Sequence, residues 1–154
     1  MGRSYGAIVF DLSGNLERYS MELMSESKRI LLVCTPEVAS LHLARGKLAF
    51  LRKMDLEGRV SIVLNRLQKR SLFAQVQVEE ILGLPVAHSF SNDYVGINEA
   101  TRQAQWINPA SEMGRSFETF ARELRERPAS QAPARAKHKF LEYLAPALRT
   151  LHAG

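Results

Sequence analysis

The sequence predicts an α/β fold in which a parallel sheet lies between two layers of helices. Short apolar runs recur at residues 7–10, 30–34, 60–64 and 86–90, and stretches with helical spacing separate them. Apolar runs this short, bounded by turn residues, are typical of strands that are buried on both faces. Because strands that alternate with helices form βαβ units, we expect a three-layer, Rossmann-like arrangement with all strands parallel.

Helical patterns fill the gaps between these predicted strands. The first, over residues 16–26, is weakly periodic. The second begins at Thr35-Pro36-Glu37, an N-cap, a proline at the first helical position and an acid in the first turn. Its apolar residues follow at steps of three and four and share one face: Leu41, Ala44, Leu48 and Leu51. The third covers residues 71–82 and is ended by Gly83.

The predicted domain covers residues 1–127 and is followed by a tail. Two more helices come after the last strand, one over residues 94–105 and one that Ser111 caps. Residues 128–136 are typical of a linker, being small residues with two prolines. Residues 137–151 predict an amphipathic tail helix with five apolar residues on one side: Phe140, Leu141, Leu144, Leu148 and Leu151. Lys137, Lys139, Glu142 and Arg149 take the other side.

Composition limits the kind of protein this is. The chain has 154 residues, 45% of them hydrophobic and 24% charged, which is typical of a single globular domain. It has one cysteine, Cys34, which excludes an internal disulfide and favours a cytoplasmic location. Because Cys34 lies in an apolar run, we expect it to be a small core residue. The formal charge of +5 permits an acidic partner without requiring one.

Asp11 is the first candidate for chemistry. It follows the apolar run 7–10 and precedes a small, polar turn that contains Gly14. Ligands of open α/β sheets bind at the carboxyl ends of the strands, where a carboxylate can hold Mg²⁺ directly or through water. The alternative is that Asp11 caps the following helix. Both interpretations stay open on the residues alone.

Four motifs, in order, resemble those of the MinD/ParA-type deviant P-loop ATPases. The first, at 11–18, is Asp-Leu-Ser-Gly-Asn-Leu-Glu-Arg, which is similar to the family's Asp-Ser-Pro-Ala-Gly-Ile-Glu-Arg. The second, at 35–40, is Thr-Pro-Glu-Val-Ala-Ser, which is similar to the family's Thr-Pro-Glu-Val-Ser-Ser. The third is Asn65-Arg66 at a strand end, where the family's asparagine reads adenine. The fourth is Asn92-Asp93, in a turn that lies beside the base. Within the family, the pilus-assembly branch of CpaE and TadZ proteins is the most similar.

The departures from the family pattern concern the phosphates. The family holds the triphosphate with a glycine-rich loop that carries lysines, and nothing in these 154 residues resembles that loop. Ser13, Asn15 and Ser91 also replace family residues in the turns. The resemblance therefore implies ATP and Mg²⁺ as ligands, with Mg²⁺ on Asp11 and the nucleotide on Asn65, Arg66, Asn92 and Asp93. It implies weak binding or none without the loop, and no catalytic residue in this chain.

The resemblance implies a positioning or assembly factor for a pilus, a septum or a chromosome. We expect it to act through protein contacts, including self-association through an exposed sheet edge. Two alternatives stay open: the chain is half of a working ATPase, or it is a module that binds DNA or a membrane surface. The basic group Arg66, Lys69 and Arg70 is either a solvated loop or a contact for phosphates, and 137–151 resembles a membrane-surface helix at the cytoplasmic face of the inner membrane.

Overall fold

A computed structural model of the protein describes residues 6–12, 14 and 17–126. Within this part of the chain a sheet of three strands has the order β1-β2-β3, with both pairs parallel. The strands are β1 (Ile30–Cys34), β2 (Val60–Leu67) and β3 (Val86–Ser91). The helices are α1 (Arg18–Glu26), α2 (Val38–Lys53), α3 (Gln75–Leu82), α4 (Tyr94–Arg102) and α5 (Glu112–Glu126), and a 3₁₀ turn covers Glu57–Arg59. The predicted α/β class with helices flanking a parallel sheet is confirmed.

Helices cover both faces of the sheet. On one face α2 and α3 pack against the strands. Three of the four predicted apolar residues of α2 (Leu41, Ala44 and Leu48) are buried there, and Leu51 is buried with residues of α1. On the other face α5 packs through Met113 against Val63 and Phe90, with Phe120 beside them. A third cluster joins Met21 and Met24 of α1 to the start of β1. Three apolar clusters therefore hold three layers together.

Local signals predicted the helix ends to within a few residues. Gly83 ends α3 with φ of 71°, in the left-handed region that favours glycine, and its N–H donates to the carbonyl of Glu79. The predicted start of α2 is too early. Its N-cap is Glu37, and Ser40 Oγ instead accepts from the Thr35 N–H, so Thr35 and Pro36 lie before the helix.

The predicted buried strand over residues 7–10 is wrong. These residues form no regular structure in the described chain, and Ile8, Val9 and Phe10 are 70%, 83% and 51% exposed. The apolar run alone indicated a strand, but a strand also needs a hydrogen-bonded neighbour, and none of the described residues pairs with this segment. The outer edge of β1 is consequently open within the described chain.

The predicted linker (128–136) and tail helix (137–151) lie outside the described residues. Among the helices that the structure does describe, none has the length and apolar character needed to cross a membrane.

Candidate functional site

An irregularity near the end of β2 shapes the first pair of predicted nucleotide-binding residues. Between Leu64 and Leu67, β2 advances three residues while β3 advances two, from Ser89 to Ser91, so β2 carries a bulge at Asn65-Arg66. Arg66 adopts φ of 57°, which is uncommon for a residue with a side chain. Its N–H donates to Asn65 Oδ1 at 2.9 Å. The bulge thus fixes one atom of the Asn65 side chain and leaves Arg66 exposed.

The end of β3 supplies the second pair. The Asn92 N–H donates to the carbonyl of Leu67 at 3.0 Å, which continues the β2–β3 ladder by one further bond. The next residue, Asp93, caps α4, because its Oδ1 accepts from the Gly96 N–H at 2.9 Å. The structure therefore brings all four residues, Asn65, Arg66, Asn92 and Asp93, to the adjoining carboxyl ends of two parallel strands.

This arrangement offers hydrogen-bonding groups of both kinds. The amides of Asn65 and Asn92 each carry donors and an acceptor, and the second carboxylate oxygen of Asp93 is a further acceptor. Asn92 is exposed, and Asn65 and Asp93 are half-buried. Such groups match the mixed donor and acceptor edge of a nucleobase. Their assignment to a base stays a prediction.

Asp11 has neither of the two surroundings that its sequence context indicated. It is exposed and follows a segment without regular structure rather than a strand, and the N-cap of α1 is Glu17. A single carboxylate supplies only part of the six oxygen ligands that Mg²⁺ takes, so water and phosphates would provide the rest. Among the described residues, no group of three His, Cys, Asp or Glu side chains is placed to hold a metal. The role of Asp11 toward Mg²⁺ stays a prediction.

The basic group at the end of β2 and in the turn that follows it lies in solvent. Arg66, Lys69 and Arg70 are all exposed, on the bulge and the turn that follows it. This exposure is compatible with a solvated loop and with contacts to phosphates, so both interpretations of the group remain.

Two polar features elsewhere in the domain have structural roles. His88 is a residue of β3 whose side chain faces α5, with Nε2 3.0 Å from Ser116 Oγ, Nδ1 3.7 Å from a carboxylate oxygen of Glu123, and its ring against Phe90 and Phe120. Cys34 is buried at the end of β1, and burial raises the pKa of its thiol, which disfavours the reactive thiolate.

Glu79 has a structural role that the sequence did not indicate. Its carboxylate, on a half-buried residue of α3, accepts from the Val86 N–H at 2.9 Å and from Gln75 Nε2 at 3.1 Å. It therefore ties α3 to the first residue of β3. The sequence carries no signal for this contact, because it depends on how far the chain turns back after Gly83.

Two cavities lie away from most of the predicted residues. One of about 240 Å³ lies at the amino ends of the strands, between Arg29, Arg59 and Glu123. The other, of about 480 Å³, lies beside α4 and includes Asp93 alone of the predicted set. Asp93 is thus the one predicted residue that lines either of these two cavities.

Comparison with known proteins identifies the class of fold. No protein-family model matches the chain, and no curated protein matches it. Solved structures do: the fold is that of the MinD/ParA-type ATPases. One match is a ParA family ATPase from Chlorobium tepidum, with a TM-score of 0.64 and 20% identity over 70% of this chain. Another is the MinD cell division protein of Aquifex aeolicus, with a TM-score of 0.62 and 18% identity over 71% of this chain.

These likenesses concern the fold alone, because the identities are low. The chain spans 46% of the ParA structure's length and 48% of the MinD structure's, so it is similar to slightly less than half of each.

Proposed function

We propose that this protein is a MinD/ParA-type positioning or assembly factor, most similar to the pilus-assembly branch, that acts through protein contacts. The observation that supports it is the open outer edge of β1 in a sheet of this fold. Within the described chain β1 pairs with β2 alone. Val33, near the carboxyl end of this edge, is 58% exposed although the whole strand is apolar.

An open edge of this kind favours pairing with another strand. Its backbone N–H and C=O groups have no sheet partner on one side within the described chain, and an apolar edge without charged residues is a template for a strand from another chain. Earlier in the chain, before α1, Ile8, Val9 and Phe10 also expose apolar side chains. We therefore propose self-association through this edge as the main protein contact.

A lysine in the edge tests this contact. Because a charged side chain blocks strand addition, Val33→Lys is expected to abolish self-association measured by light scattering over a range of protein concentrations. Leu43→Lys is the matched control, since Leu43 is 64% exposed on the helix α2 and is not part of the edge strand, and it should leave association unchanged. A wild-type protein that stays monomeric at high concentration would contradict the proposal.

A second candidate is that the chain is one half of an ATP-hydrolysing enzyme of this type. The chain matches slightly less than half of the length of each structural neighbour, which favours this possibility. The remaining contribution would then be a strand and a glycine- and lysine-rich phosphate loop from another polypeptide or another part of the gene. Inspection of the neighbouring reading frame for that loop distinguishes the two candidates.

In both cases we propose that Asn65, Arg66, Asn92 and Asp93 contact the base of an adenine nucleotide, with Mg²⁺ held through Asp11 and the phosphates. The support is that Asn65, Arg66, Asn92 and Asp93 lie together at the ends of β2 and β3. Contacts to a base without a phosphate loop give weak affinity, so the expected binding is residual.

A further inference from the structure

The helix after β3 has an uncovered surface. Within the described structure none of the nine residues of α4 is buried, although Tyr94, Val95 and Ile97 are large and apolar. They are 71%, 78% and 44% exposed. Trp106, shortly after the helix, is 96% exposed and is the one tryptophan in the sequence. Large exposed apolar side chains are typical of interaction sites, and of these four Trp106 lines the cleft beside α4.

The cleft of about 480 Å³ lies between α4 and the segment that follows it. Gly96, Ala100, Trp106 and Ile107 contribute apolar lining, and the two charged residues in its lining, Asp93 and Glu99, are both acidic. Its far wall is fixed in place, because the segment 108–109 lies so close to Gly114 of α5 that a side chain there would meet the Asn108 carbonyl and Pro109. The cleft is thus apolar, acidic and bounded by a well-anchored wall.

We propose that residues 137–151 of the same chain bind in this α4 cleft. Their sequence supplies the complementary chemistry, with Lys137 and Lys139 for the carboxylate of Glu99 and an apolar side for Trp106 and Ile107. The segment has one acidic residue, Glu142, so basic residues predominate opposite the acidic lining. A lysine above the Trp106 ring would add a cation–π contact.

The chain is long enough to make this contact. The cleft adjoins Ser111 at the start of α5, and the described chain ends at the other end of that helix, about 22 Å away for 15 residues. The ten residues 127–136 extend to about 33 Å when fully stretched. The tail can therefore return alongside α5 to the cleft without strain.

Trp106 reports on this contact directly, because no other tryptophan contributes to the emission. In the full-length protein we expect blue-shifted Trp106 fluorescence and protection from acrylamide quenching. Leu144→Gln should lower the docked-to-undocked ratio about tenfold and expose Trp106, since it removes a buried leucine. Glu142→Gln, on the polar side of the same segment, is the matched control and should leave the emission of Trp106 unchanged.

A charge exchange tests the polar half of the contact. Glu99→Lys should expose Trp106, and Lys139→Glu added to it should restore the protection. Solvent-exposed emission in the wild type, or a double variant no better than the single one, would overturn the proposal. A blue shift that grows with protein concentration would assign the cleft to a second copy instead. A shift that requires vesicles of anionic lipid would assign the tail to a membrane. Both results would also overturn it.

Discussion

Cys34 is the residue whose surroundings most clearly change its chemistry. It lies 3% exposed at the end of β1, and burial raises the pKa of its thiol. The unfolded chain, in which a thiol ionises near pH ~8.5, loses this proton first as the pH rises. Cys34 therefore contributes stability fully below the ordinary thiol pKa and progressively less as the pH rises toward its folded value.

The expected result is a free energy of unfolding that falls more steeply between about pH 8 and 10 in the wild type than in Cys34→Ala. Urea denaturation at several pH values measures the two slopes. The variant is less stable throughout because it leaves a small cavity, so the comparison concerns the slopes and not the absolute values. Parallel pH curves for the two proteins would contradict this account of Cys34.

At the scale of helices and strands, two glycines are expected to respond oppositely to the same substitution. Gly83 ends α3 at φ of 71°, where an L side chain is strained, so Gly83→Ala should destabilise by about 1 kcal/mol. Gly46 lies in the middle of α2, where an added Cβ would meet no neighbouring atom within 4 Å, so Gly46→Ala should stabilise by about 0.5–1 kcal/mol. Urea denaturation of both variants tests this, and a shift of the same sign in both would contradict the helix assignments.

Periodicity predicted the elements whose structure depends on their own residues. The apolar face of α2, the end of α3 at Gly83, and the three strands β1, β2 and β3 follow from spacing and turn chemistry. Residues 7–10 show the same apolar pattern, but a strand is a property of a pair, and the pattern does not indicate whether a neighbour exists. Periodicity did not predict features that depend on residues of other elements, such as the bulge at Asn65-Arg66 and the Glu79 contact with Val86.

For the candidate site, the sequence predicted the location of the residues more accurately than the geometry of their side chains. The resemblance implied that Asn65, at a strand end, and the turn at Asn92-Asp93 would both lie beside a base, and the ladder bond from Asn92 to Leu67 joins the ends of β2 and β3. It did not predict that Asp93 would use one oxygen to cap α4, or that Asp11 would follow an irregular segment. Both differences arise from the path of the backbone, which residue identities alone do not determine.

On the scale of the whole molecule, the fold is that of MinD/ParA-type ATPases, and in the part of the chain that the structure describes it has an open edge at β1 and polar side chains at the ends of β2 and β3. A strand added at the open edge would extend the sheet on the side away from β3. The proposed association through that edge is thus expected to leave the ends of β2 and β3 accessible, so association and nucleotide binding should be independent of each other.

The most direct measurement is thermal unfolding of the full-length protein with and without millimolar Mg-ATP. A ligand that binds the folded state alone stabilises it, by about 1.4 kcal/mol at roughly ten times its Kd. We expect a rise in Tm that Asn65→Ala removes and Asp11→Ala reduces, whereas Asn98→Ala, on the exposed surface of α4, keeps it. No rise at millimolar Mg-ATP, or a rise that survives Asn65→Ala, would contradict the assignment of a nucleotide site to the ends of β2 and β3.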